Sequence, residues 1–278
     1  MPTSGQSLVG FLNQIEGINH LRAACAVADP SDAALAAEWK VANAKLGGPT
    51  PNAGYPAINP IDPAKQPYID ALQQQDWFKA SQQSSLQGAT FKMVEIEPLL
   101  AFQLTVDSSR SNHHNGNLLG PPSLDELLAI CLPINPVSEP IQIHQSPGSM
   151  MLTSRSLNFH TAAQGFINNN FLGVQVGVSL PLVHVVRHNG KCYLHNGFHR
   201  AVGLRGLGVK AIPCVFRDVP SHEAVGIKPG ATFQAPLLES GNPPTLAHFT
   251  QGHAYDVQLK AFSRTIHISW AEYVTTYE

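Results

Sequence analysis

Between Leu182 and Phe216 the residues spell out six consecutive features with almost nothing left over. Leu182–Arg187 is an apolar run of strand length. His188-Asn189-Gly190-Lys191 follows, and Asn-Gly is the residue pair that accepts positive φ at both central positions of a two-residue hairpin. Cys192–His195 is the returning strand, and Asn196-Gly197 turns the chain again. Phe198–Leu207 reads as a helix with Gly208 as its C-terminal cap. Ala211–Phe216 is a further strand. A hairpin followed by a helix and a third strand predicts an α+β fold, a small mixed sheet carrying helices.

The second turn is the chemically informative one. A glycine at the entry to a helix lets backbone N–H groups converge on one point. The first helical turn leaves those donors without intrahelical partners, at the positive end of the dipole. Asn196, Gly197, Phe198, His199 and Arg200 therefore form a candidate phosphate cradle, with Arg200 and His199 supplying charge-assisted bonds. The structural alternative is that Arg200 pairs with a surface carboxylate. His195 is read as a strand residue filling space.

The same segment, together with Leu207, Gly208, Ile212 and Pro213, resembles the core of the ParB/sulfiredoxin superfamily over residues 181–215. Those domains share a hairpin, a turn carrying glycine, His or Arg, and Arg, a helix, and a glycine-ended return to the sheet. Val94–Leu100 is weakly similar to the family's opening strand. The resemblance implies that the turn holds the phosphates of a nucleotide (ATP, ADP or CTP) together with Mg2+. Phe198 stands where sulfiredoxins carry their reactive cysteine, so sulfinate reduction is not expected. No helical DNA-reading domain is predicted after Asp218, which argues against centromere-type recognition. A free-serine kinase uses this fold with an upstream carboxylate as base. In this chain the upstream carboxylates are Glu95, Glu97 and Asp107.

Glu95 and Glu97 fall on one side of a strand by alternation, where a carboxylate pair can hold magnesium or act as a base. A solvated strand face explains such a pair equally. Asp107 and Arg110 precede a polar loop and are candidates for substrate contact. No spacing groups His113 and His114 with His144 or His160 as metal ligands. Cys192 and Cys214 read as small buried hydrophobes.

Upstream, residues 5–28 read as an amphipathic helix, and Ser31-Asp32 opens a second one running to Leu46. The stretch 49–67 holds six prolines and reads as an extended linker. A third helix is expected over 64–80, a strand over 90–96, an exposed loop over 108–122 and a short helix over 125–131. Ile141–His144 is strand-like, and Phe159–Asn168 reads as helix. Residues 254–259 and 265–270 alternate as an antiparallel pair. The domain reading is a helical region over 1–85, then an α+β domain over 86–278 with an insertion around 108–180 and a C-terminal strand hairpin.

Composition narrows function. With 17 basic and 19 acidic residues the chain lacks the basic excess of a nucleic-acid coat, so nucleic acid is not expected as a partner. No apolar run reaches membrane-spanning length. Four scattered cysteines and no signal segment place the expected setting in the reduced cytoplasm. The expected function is nucleotide binding with NTP hydrolysis or phosphoryl transfer to a small acceptor. The alternatives are a nucleotide- or anion-sensing module whose N-terminal helices dock a partner protein, and a ParB-like nuclease.

Overall fold

The computed structural model describes residues 2–82, 86–116, 118–136, 140–156, 159–168, 171–178, 182–227, 233–260 and 263–272. Its central hairpin forms as the turn chemistry demands. Asn189 and Gly190 take φ of 49° and 79°, and the strands His184–His188 and Lys191–Asn196 pair antiparallel on either side. The helix Phe198–Gly206 follows, and Gly208, at φ 89°, reverses the chain into the strand Ala211–Asp218. That strand returns parallel to His184–His188, as expected when a helix separates the two.

These strands belong to a five-stranded sheet in the order Lys191–Asn196, His184–His188, Ala211–Asp218, Thr90–Glu95, Ile58–Pro60. Its centre is apolar: Val94, Val185, Leu194, Ile212, Cys214 and Val215 are buried. The fold is α+β, with helices throughout the first of two compact units. That unit comprises Met1–Ile134 and Pro181–Lys260. Among the described residues no helix is long and apolar enough to cross a membrane.

Several expectations are corrected. The N-terminal helix is shorter than 5–28, because Thr3–Ser7 is a strand and the helix runs over Gln14–Ala24 behind its Asn13 cap. Thr3–Ser7 lies between Thr105–Asp107 and Tyr255–Leu259 in a second sheet. Residues 254–259 thus pair with the N-terminus and not with 265–270. Within the proline-rich stretch, Ile58–Pro60 adds an edge strand against Thr90–Glu95, the one sheet position that tolerates proline well. The expected boundary at residue 85 therefore falls inside the first unit. The expected helix over 64–80 is two helices, Gln66–Gln73 and Asp76–Gln82. The polar stretch 108–122 begins with a helix, Ser108–His114, because Asp107 caps it by accepting from the Ser109 and Arg110 amides. Ser123 and Glu126 form a capping box for Leu124–Cys131.

The second unit comprises Asn135–Leu180 and Ala261–Glu278. Ile141–Ser146, Ser149–Ser154 and Arg264–Ser269 form one antiparallel sheet. Phe159–Asn168, expected to be helical, is a strand paired with Phe171–Val178. Its alanines suit a helix, but pairing with a Val- and Phe-bearing neighbour overrides that propensity.

Candidate functional site

Gly197 is the N-cap residue of the helix Phe198–Gly206, with φ 102°, and as a glycine it brings no capping side chain of its own. A Cβ at this position would lie 2.9 Å from Val183 Cγ2, so the turn admits only glycine. The predicted strand–turn–helix is present, but its cation is not where the sequence places it. Arg200 is only 5% exposed, and its Nη1 donates to the Ile130 carbonyl at 3.2 Å. That carbonyl belongs to the last turn of Leu124–Cys131, where backbone acceptors lack helical partners. The guanidinium thus caps a neighbouring helix beside the buried Cys131 thiol instead of facing solvent. Asn196 and His199 are half-buried, and Gly197 and Phe198 are buried.

The carboxylates expected to act in catalysis are each engaged elsewhere. Glu95 accepts from the Ala57 amide at 3.2 Å, tying the edge strand to the sheet. Glu97 pairs with Arg205, its Oε1 lying 2.9 Å from Nε and 2.8 Å from Nη2. Asp107 accepts from Thr3 and Ser109 hydroxyls as well as from two amides. Burial pushes the Asp107 carboxyl up, but these hydrogen bonds outweigh it and hold it below the usual carboxylate range. The side chains of Glu95 and Glu97 have separate partners and do not form the expected magnesium pair. Among the described residues no group of three or more His, Cys, Asp or Glu is placed to hold a metal ion.

What gathers near Gly197 is a set of basic side chains that the turn motif alone does not reveal. Asn196 stands opposite His184 in the hairpin, so His184 lies at the same end of the sheet as the turn. The register breaks between Leu194 and Asn196, and this bulge turns His195 toward His184, with ring centroids 4.9 Å apart. Phe102 touches both His195 and Phe198. Arg217 stands opposite Val186, two residues further along the sheet than the Val215–His184 pair and on the same face, and its charge acts on both histidines.

Hydrogen bonding in this set is incomplete. His195 Nδ1 lies 2.7 Å from the Val225 carbonyl, which fixes that nitrogen as the protonated one. His184 Nε2 and Arg217 Nε are buried and have no partner among the described residues. Burial, then the neighbouring His195 and Arg217, lowers His184 to about 3. Burial also lowers His195, partly opposed by the bond to Val225 and reinforced by Arg217. These two nitrogens, without partners among the described residues, leave this face of the sheet short of hydrogen-bond acceptors.

The four cysteines are free and buried. Burial raises Cys192 to about 11, and Cys214 well above the ordinary thiol value. Buried thiols of this kind are inert.

Comparison with models of protein families, with curated proteins and with solved structures finds no match. Sequence reasoning missed Arg217 because it sits at the far end of a strand, and His184 because one histidine in an apolar strand reads as core. The available signal was the concentration of histidines in one hairpin: His184, His188 and His195.

Proposed function

We propose that this protein is a nucleotide-binding module of ParB/sulfiredoxin-like fold, acting in the cytoplasm, which seats the ligand's phosphates at the start of the helix Phe198–Gly206. In this reading Arg217, His184 and the amides following Gly197 hold the phosphate oxygens, and Arg200 supports the helix from behind. The observation that carries it is the pair of buried nitrogens without a partner among the described residues, His184 Nε2 and Arg217 Nε, on the sheet whose His184 end meets a glycine-led helix start. Unpaired buried polar nitrogens are costly, and with the His184 proton on Nε2 an anion is the ligand that satisfies both along with the helix dipole. Binding without turnover is favoured over phosphoryl transfer because Glu95, Glu97 and Asp107 are each committed to a structural bond.

Isothermal calorimetry of the full chain with ATP, ADP, CTP and pyrophosphate tests this. Saturable binding of pyrophosphate and of at least one nucleotide is expected. Arg217→Gln is expected to weaken it about 10- to 100-fold, the worth of one charge-assisted bond. Absence of saturable binding by any of the four overturns the proposal. Release of inorganic phosphate from ATP or CTP, abolished by Glu97→Gln, would restore the enzymatic reading.

A further inference from the structure

The first unit also contains a cleft of about 460 Å³, between the helix Ser108–His114 and the second half of the helix Phe198–Gly206. Its size suits a small molecule. None of the residues lining it carries a charged side chain. Ser111 and Asn115 stand on one wall, Val202 and Leu207 supply apolar surface, and Gly206 leaves helix backbone bare. Asn115 is 3% exposed, and its Oδ1 is a buried acceptor with no partner among the described residues. A Cβ on Gly203 would come within 2.2 Å of Asn115 Nδ2, so the amide lies directly against the helix. A Cβ on Gly206 would meet nothing within 4 Å.

The geometry points to a binding site for an uncharged, amino-substituted heterocycle of the nucleobase class. A flat ring lies over the open backbone at Gly206, where a side chain would stand in its way. An N–H on the ring satisfies the Asn115 acceptor, which is otherwise buried without a hydrogen bond among the described residues. A charged ligand would find no counter-charge in the walls. Gly206 lies nine helical steps from Gly197, about 13 Å along the axis, so the site is separate from the phosphate seat and does not rest on it.

Titration of the full chain with adenosine and cytidine, followed by calorimetry, tests this, with purine riboside as the analogue lacking the exocyclic amine. Saturable binding of adenosine or cytidine is expected, with purine riboside at least tenfold weaker than adenosine if adenosine binds. Gly206→Leu adds bulk at the cleft wall, where a Cβ meets nothing within 4 Å, and improves helix propensity. It is expected to abolish nucleoside binding while the melting temperature is kept and any pyrophosphate binding is unchanged. Asn115→Ala is expected to weaken nucleoside binding about tenfold or more. Failure of both nucleosides to bind the folded wild-type chain overturns the inference. So does nucleoside binding that survives Gly206→Leu.

Discussion

Arg200→Ala is expected to destabilise the protein by about 3 kcal/mol. The guanidinium is buried and donates to the Ile130 carbonyl. Alanine leaves both a void and an unsatisfied acceptor at the end of Leu124–Cys131. Arg200→Met separates packing from charge. It keeps most of the volume and removes a cation whose desolvation is itself unfavourable, so its cost is smaller, about 1–2 kcal/mol. Urea unfolding of both variants measures this. Pyrophosphate affinity of folded Arg200→Met is expected to stay within about threefold of wild type, well under one charge-assisted bond. A Met variant as stable as wild type but unable to bind pyrophosphate would make Arg200 the phosphate ligand and remove its role as a helix cap.

Acid is expected to destabilise the fold well above the carboxylate range. Burial lowers His20 to about 4, His184 to about 3 and His248 to about 4. In the unfolded chain all three protonate near the ordinary histidine value of about 6.5. Between that value and about 4 the unfolded state therefore binds more protons, and stability falls as pH falls. Above about pH 7 the penalty is absent, because both states are neutral. Discounted for partial solvent access, the combined loss is on the order of 5 kcal/mol by pH 4.5, a large share of a typical domain's stability. Asp107 adds its own loss only at lower pH, since its folded value lies below the usual one. Urea midpoints at half-unit steps from pH 8 to 4.5 check this. A steep decline beginning just below 6.5 is expected, and a midpoint constant down to pH 5 would show that these histidines are not held neutral.

The legible part of the sequence was the part in which local chemistry alone decides structure. Asn189-Gly190 dictated a hairpin, Gly197 and Gly208 bracketed a helix, and Ser31 and Ser123 announced caps that formed. Illegible features depended on distant pairings. Thr3–Ser7 reads as the start of an amphipathic helix until Tyr255–Leu259 and Thr105–Asp107 are beside it. Ile58–Pro60 looks like linker until Thr90–Glu95 offers an edge. The site divides in the same way. The turn was legible from Asn196-Gly197, but the direction of a long side chain was not. Arg200 points inward because a helix end about 70 residues earlier in the chain needs a donor. Arg217 enters the site only through the parallel register with His184–His188.

Chemical-shift mapping with pyrophosphate probes the seat itself. In 1H–15N spectra of the full chain, the amides of Gly197, Phe198 and His199 and the Arg217 Nε–H signal are predicted to shift together on one saturating curve. The His184 ring nitrogens are predicted to follow the same curve. Saturating shifts confined to the Asn115 and Gly206 cleft, or none in Gly197–His199 and Arg217, would contradict a phosphate seat at the start of this helix.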